Sequence, residues 1–551
     1  MINIKIYYKK MRILSLLMVC ALSFFSCEDD FLNEVPLSDL SDSSTLTSKA
    51  GFETYLIGLV RQARLEYTWK DDVYWITNFA KTDVGEEAGA EYSGNRNWIN
   101  YITPNRLEVR RNWEWAYKDM ISLANVIITN ANLPESADYW ATENAKNAVI
   151  AEARFYRAYT YNFLVNLYGG VPIVDAVETS PKFDYIRSTR DQVLEFVKAD
   201  LEFAVQWLPS TVSLPGRITK AAADHLLSEV YISLGDYSSA ASSASNVINS
   251  GLYQLMTNRF GSALEESGDV FSDLFKENNF NTSSGNMESI LVLQIEEYTD
   301  GGLGTGVRTG GSAALRIMGP FLDKIEAPDG ISNLPTDEFG RGVGRIRGTN
   351  YSIYDIWQGS GSDMRNSEFN FARDFYYNHP DSNYFGELIG PRTGPKAEED
   401  TLRRLYQFPT KILGKPLRGN KYSGRSTSDI YVYRLAETYL LRAEAHFRGG
   451  NLQDAANDIN IVRERAGATP ISAGDVTEEY ILDERARELL YEEPRRRTLT
   501  RMGLLVERVR DYGLLPESRN SVQDYHGLWP IPQEVIDANF GAELKQNPGY
   551  N

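Results

Sequence analysis

Two stretches of this chain repeat each other without a gap at an offset of 215 residues, Ala221 to Gly251 and Ala436 to Ala466. Ala221 matches Ala436, Leu226 matches Leu441, Gly235 matches Gly450, Ala240-Ala241 match Ala455-Ala456, and Val247 matches Val462. The pattern is that of a helix, a glycine turn and a second helix. Small alanines on the second helix let two axes approach closely, and the turn glycine takes a backbone angle that other residues resist. One such hairpin cannot bury its apolar face alone, so a chain that carries two is expected to stack them as tetratricopeptide repeats do. Two units so far apart make too short an array, and the helices are expected to be interleaved with other material.

The rest of the sequence extends the helical reading. From about residue 49 to 270 the apolar period is three to four. Ala145 to Tyr168 carries Val149, Ala153, Tyr156, Tyr159, Phe163 and Leu167 on one face and stops at Gly169-Gly170 with Pro172 beyond. Helices resume after Ser428, over Tyr431 to Arg448, Leu452 to Ala466 and Thr477 to Glu493. Between them, residues 278–428 are rich in Gly, Asn, Ser and Arg, with only short runs such as Ser289 to Glu296 resembling strand. Long ordered loops on a rigid scaffold usually carry function. The fold class expected is therefore mostly α, with tetratricopeptide-like hairpins forming a curved scaffold and a loop-rich region containing short strands.

The start of the chain sets the compartment. Lys9, Lys10 and Arg12 precede an apolar run from Ile13 to Phe25, and Ser26-Cys27 follows at once. This is a secretory signal, too short to span a bilayer, which needs roughly 20 residues. A small residue before Cys27 matches a bacterial lipobox, so Cys27 is expected to be lipidated and to become the new N-terminus. Cys20 lies in the discarded leader, which excludes disulfides, thiolate catalysis and cysteine metal clusters from the mature protein. Cleavage removes four cations and no acid, taking the formal charge from −18 to −22. Such a field repels nucleic acid and anionic lipid surfaces and suits an uncharged or cationic ligand. The expected organisation is a lipoprotein signal peptide over 1–26, an acidic Ser/Thr-rich tether over 27–48, an N-terminal helical region over 49–270, and a C-terminal region over 271–551 that contains the insert 278–428.

Catalytic signatures are scarce. His225, His379, His446 and His526 are far apart, and neither a His-Glu-x-x-His nor a Gly-x-Ser-x-Gly motif occurs. Gly302 to Gly306 and Gly340 to Gly344 lack the Lys-Ser/Thr of a phosphate loop, and no Asp-x-Asp-x-Asp-Gly loop points to calcium. Neither a catalytic residue nor a cofactor nor a metal is expected. Asp71-Asp72, Glu86-Glu87 and Glu398-Glu399 supply paired carboxylates that a glycoside hydrolase would need, but adjacent acids in polar segments are usually solvated surface.

Six segments, taken in order, resemble the SusD/RagB-like family of Bacteroidetes outer-membrane nutrient-binding lipoproteins. They are Ser26-Cys27-Glu28-Asp29-Asp30-Phe31-Leu32-Asn33; Glu152 to Tyr159 with Leu167 to Pro172; Tyr433 to Glu437 through Arg442 to Ala445, closing at Asn460 to Gly467; Glu484 to Leu489; Trp529-Pro530-Ile531-Pro532; and Gln546 to Tyr550. The chain departs from the family where Glu493-Pro494-Arg495-Arg496-Arg497 follows the Glu-Arg-x-x-Glu-Leu helix, and proline there is expected to end the helix early. The resemblance implies a surface-exposed protein of the cell outer membrane, anchored through lipid on Cys27. It would sit on a SusC-like TonB-dependent transporter, capture an oligosaccharide or polysaccharide and pass it on without catalysis, with peptide capture as the alternative within the same uptake type. The charged motif residues Glu152, Arg154, Arg157, Glu484, Arg485 and Glu488 are read as ion pairs between helices.

A glycan site needs flat rings flanked by amide or charged groups. Ser93 to Tyr101 offers Asn97, Trp98, Asn100 and Tyr101 in a polar loop, at about the place where the resemblance puts a ligand loop. Tyr351, Tyr354 and Trp357, near Asp363 and Arg365, are expected to form a second wall, and Trp75 with Asp71 and Asp72 is a third candidate. Trp113 and Tyr117, four apart in a helical run, read as core.

Overall fold

Helices begin and end where local chemistry directs. The central one, Glu143–Tyr168, starts at Thr142, whose hydroxyl accepts from the Ala145 N–H, and ends at Gly169 with φ 72°. From Val149 onward nearly every residue is buried, the polar ones among them, such as Glu152 and Arg157, being held by ion pairs. The computed structural model describes residues 45–68, 73–89, 94–299, 301–303, 310–394 and 396–550. The leader 1–26, Cys27, most of the 27–48 tether, Asp71 and Asp72 lie outside the described residues. Residues 52–551 form one compact unit; ahead of it, Ser48 Oγ accepts from the Gly51 N–H (3.3 Å) at the start of a helix.

The principal helices are α1 (Lys49–Thr68), α2 (Val73–Phe79), α3 (Ser122–Ala131), α4 (Glu143–Tyr168), α5 (Arg190–Trp207), α6 (Lys220–Leu234), α7 (Tyr237–Ile248), α8 (Leu435–Arg448), α9 (Leu452–Arg465), α10 (Glu478–Leu489) and α11 (Arg495–Met502). From α3 to α9 each helix packs on the next. The repeated hairpins, α6–α7 and α8–α9, therefore lie side by side in one stack although 215 residues separate them. Ile232 and Ala240 of the first meet Leu441 and Ala445 of the second in a buried cluster. The two turn glycines, Gly235 and Gly450, share φ 82°. As expected of hairpins interleaved with other material, the intervening chain leaves the stack after α7 and returns to it at α8.

That exit is stitched by strands. Among the described residues the short strands are β1 (Gly85–Glu87), β2 (Ser289–Leu293), β3 (Ile346–Gly348), β4 (Phe371–Ala372), β5 (Phe408–Pro409) and β6 (Ile430–Arg434). They pair antiparallel as β1–β3, β2–β6 and β4–β5. The β2–β6 ladder, with Ser289 opposite Arg434 and Leu293 opposite Ile430, closes the neck of the insert. Tyr431 to Arg434, read from sequence as the start of a helix, belong to strand: burial alternates along Ile430–Arg434, with Tyr431 and Tyr433 inward, and β-favouring Ile, Tyr and Val fill the run. α10 stops at Leu489 and the next helix opens after Pro494, as the proline requires.

The family-motif charges are fastened inside. Arg434 bonds Glu288 (3.0 Å), Glu488 (2.9 Å) and Glu492 (2.6 Å), while Arg465 reaches Glu288 (2.6 Å) and Glu488. Arg365 joins Asp363 (2.7 Å), Glu484 (2.8 Å) and Glu488 (3.0 Å), and Arg485 joins Glu437 (2.9 Å) and Glu493 (2.7 Å). Farther along the stack, Arg217 pairs with Glu152 (2.6 Å), and Arg157 with Asp200 (2.7 Å). One face of α10 thus ties α8, α9, the neck strand β6 and the insert together. Burial alone would raise the Glu444 carboxyl, but Arg501, with Arg485 and Arg448, outweighs it and holds the group at about 2. Glu437 is likewise held at about 2, against burial, by His225 and Arg485.

Candidate functional site

The β4–β5 ladder places Phe371 opposite Pro409 and Ala372 opposite Phe408. Immediately before β4, a turn closed by the Asn370 N–H to the Ser367 carbonyl (3.1 Å) presents Phe369, whose carbonyl accepts from Thr410 Oγ1 (2.6 Å). Across from it, a second turn presents Phe339. There Gly340 N–H donates to the Thr336 carbonyl (2.9 Å) and Phe339 N–H to Thr336 Oγ1 (2.9 Å), with Gly340 at φ 58°. Between these turns and residues 267–277 lies a cleft of about 580 Å³. Its size falls within the usual range of small-molecule sites.

Phe339 and Phe369 are half-buried and offer ring surface to the cleft, whereas Phe371 and Phe275 form its buried floor. Lys411 stands beside them, its ammonium donating to the Glu488 carbonyl (3.0 Å) and Glu492 Oε1 (2.6 Å) and lying 4.8 Å from the Phe275 ring. Burial lowers its pKa and Glu492 opposes that shift. Its donors therefore serve the wall rather than a ligand. The rim carries Asp337, Glu338, Glu368 and Asp374 together with Arg373 and Lys415. Among the described residues, Glu338, Glu368 and Asp374 have no ion pair, so their oxygens are open to hydroxyl donors. Flat apolar rings beside open acceptors suit a polyhydroxylated ring.

The residues expected from sequence do not converge here. Trp98 and Tyr101 are wholly buried, 5.8 Å apart; the Trp98 ring also meets His526 (5.2 Å) and Arg496 (5.4 Å). The reading of Trp98 as a face in a polar loop is thus corrected: the loop forms a short helix, Trp98–Tyr101, whose first and last residues point inward. Asn97 and Asn100 are exposed, and Asn97 is spent capping the Ile99 N–H (2.9 Å). Trp357 is also buried. Its Nε1–H donates to the Ser352 carbonyl (3.2 Å) and its ring props Phe371 from behind at 5.5 Å, so it supports the cleft without entering it. Asp363 and Arg365 are committed to the ionic hub, Tyr351 donates to Asp483 (2.5 Å), and Tyr354 is exposed away from the cleft. Trp75 is buried against Tyr74 and Phe79, yet it lines a small depression, with Tyr67, Tyr431 and Asp429, that shares Phe275 and Lys411 with the cleft. Burial raises the Asp429 carboxyl to about 6, against the Ile295 N–H and Asn281 amide that it accepts from.

Phe339, Phe369 and Phe371 were not singled out from sequence. The available signal was the aromatic alternation Phe369-Asn370-Phe371 beside Arg373-Asp374 within a glycine-rich region. The four histidines stand in four places, His225 among them bonded to Thr438 (2.8 Å). Among the described residues, no group of three His, Cys, Asp or Glu is placed to hold a metal ion, and no helix is long and apolar enough to cross a membrane.

Comparison with known proteins agrees with this architecture. Residues 344–550 match the model of the SusD family, and residues 30–232 match a model described as starch-binding, associating with the outer membrane. The chain is 28% identical to SusD-like protein P2 of Formosa agariphila, over 97% of this chain and 98% of that one. It is 27% identical to starch-binding protein SusD of Bacteroides thetaiotaomicron, over 73% and 72% respectively. Surface glycan-binding protein A of Bacteroides thetaiotaomicron, solved in complex with laminarihexaose, superposes with a TM-score of 0.66 at 23% identity, covering 91% of this chain and all of that one. With both ends matched by models of one family and the stacked hairpins between them, the chain belongs to the SusD/RagB-like family.

Proposed function

We propose that this protein binds a glycan at the cell surface without cleaving it, and that the cleft of the insert is where it does so. The observation that carries the reading is the pairing of two half-buried rings, Phe339 and Phe369, with unpaired rim carboxylates on a frame held rigid by buried ion pairs. The starch- and laminarihexaose-binding relatives support the ligand class. In this reading the lipid on Cys27 tethers the chain to the outer membrane, and a TonB-dependent transporter receives the captured glycan. Hydrolysis finds no support. The carboxyl raised to about 6, Asp429, already accepts from the Ile295 N–H and the Asn281 amide, and the other carboxylate of its depression, Glu492, is bound to Arg434 and Lys411, so neither is free to act on a sugar there.

The test is calorimetry of the lipid-free protein against an array of soluble plant, algal, host and microbial glycans, repeated with Phe369→Ala. The substitution is expected to weaken binding by roughly 1 to 3 kcal/mol, as lost ring contacts in pockets do, with the melting temperature nearly unchanged. Equal affinity in variant and parent removes the cleft from consideration, and release of shortened chains during incubation removes the non-catalytic reading.

A further inference from the structure

Beyond the Phe339 turn the cleft has a neighbour. A second pocket of about 170 Å³ shares Glu338, Phe339 and Asp374 with it, and is lined on its far side by Leu334, Pro335 and Tyr376. Phe339 is the divide. Its ring lies 6.2 Å from Phe375 and 6.1 Å from Phe408, themselves stacked at 6.2 Å and buried beneath the second pocket, so Phe339 is the aromatic residue at which the two pockets meet.

The far wall is rigid and its polar groups are already used. Asn333 Nδ2 donates to the Tyr376 carbonyl (3.1 Å), the Asn378 N–H to Asn333 Oδ1 (3.2 Å), the Leu334 N–H to Asn378 Oδ1 (2.8 Å), and Asn378 Nδ2 back to the Leu334 carbonyl (2.8 Å). Arg341 is paired with Asp323 (3.0 Å). What remains for a ligand is the Tyr376 ring, about half exposed at 51%, and the two carboxylates at the divide, Glu338 and Asp374. A ring surface at each end with acceptors between them repeats the recognition unit of the cleft.

We infer that the ligand is an uncharged glycan chain bound along its length, with one set of sugars in the cleft and the next beyond Phe339 against Tyr376. This rests on the cleft being the glycan site. A chain running across the divide presents hydroxyls to Glu338 and Asp374. A uronate or sulfate would instead meet those carboxylates on a protein of formal charge −18 and be repelled: of the cleft's cations, Lys276, Lys411 and Lys415 are paired with Glu266, Glu492 and Glu277, and Arg373 stands beside Asp374. A monosaccharide or a chain end would fill one pocket and leave the other empty.

The experiment uses oligomers from the disaccharide to the octasaccharide of laminarin, starch and mannan, with polygalacturonate as the anionic polymer. They are titrated into the parent, Tyr376→Ala and Phe369→Ala after circular dichroism and melting show that each variant is folded. Affinity is expected to rise with length until the oligomer passes Phe339 and then to level off. Tyr376→Ala should lose about tenfold for the long oligomers and nothing for the short ones, and polygalacturonate should bind far more weakly than any neutral chain that binds. The extension is overturned if Tyr376→Ala changes no oligomer, or weakens all lengths equally, or if the disaccharide binds as tightly as the octasaccharide. Preference for the anionic polymer overturns the uncharged class. If Phe369→Ala leaves every affinity unchanged, or no neutral chain binds, the cleft reading itself falls and the extension with it.

Discussion

Burial decides what an aromatic residue can do. Trp98 carries an indole wholly out of solvent, packed on Tyr101, His526 and Arg496, so its removal leaves a cavity rather than a bare binding face. Trp98→Ala is expected to cost on the order of 3–5 kcal/mol in denaturant unfolding, while any folded fraction keeps the parent's glycan affinity in the cleft. A selective loss of affinity with stability intact would return Trp98 to the ligand. His526, beside it, is also sealed. Burial, aided by Arg496, depresses its pKa from 6.5 to about 4. Between those values the unfolded chain binds a proton that the folded chain refuses, so stability is full above pH 6.5 and is lost as the pH falls toward 4. His526→Gln is expected to flatten that part of the melting-temperature profile. Neither burial was legible in the sequence, because Ser93 to Tyr101 is polar on average, and which of its side chains turn inward depends on distant partners such as Ser521, whose hydroxyl accepts from the Trp98 N–H (3.0 Å).

Helices and turns were largely legible, since each is set by neighbours in sequence. The matched glycines are the clearest case: Gly235 and Gly450 both adopt φ 82° with no atom within 4 Å of where a Cβ would stand. Gly235→Ala and Gly450→Ala should therefore each cost about 1–2 kcal/mol from backbone conformation alone, equally in the two hairpins, as read by chemical denaturation. A much larger cost at one of them would mean that the turns are not equivalent. The β6 strand was misread because it runs without a break into α8 and its short Tyr431, Tyr433 alternation was absorbed into that helix, and the pairing with β2 is what separates the two. At the hub, Arg434 holds Glu288, Glu488 and Glu492. Arg434→Met would leave those buried carboxylates short of a partner and is expected to cost about 3–5 kcal/mol, seen as a lower denaturation midpoint.

At the scale of the whole molecule, the buried carboxylates Glu437 and Glu444, held by His225, Arg485 and Arg501, set acid stability. Glu437 and Glu444 sit at about 2 when folded against an ordinary value of 4.5. Their contribution is therefore present above pH 4.5 and is lost as the pH falls from there toward 2. Melting temperature should drop in two stages, gently from pH 6.5 and steeply below 4.5, and Glu444→Gln should lessen the second. A profile flat down to pH 3 would show that these pairs do not hold the frame. The sequence by itself determined the helical class, the repeated hairpins, the family and the ionic role of Glu152, Arg157, Glu484, Arg485 and Glu488, because periodicity, turn glycines and charge spacing act over a few residues. Only the tertiary structure decided that the two hairpins touch across 215 residues, and that the rings bordering a cleft are Phe339 and Phe369 rather than Trp98. The physical reason is that exposure and concavity arise where segments far apart in the chain meet, and no local pattern encodes that meeting.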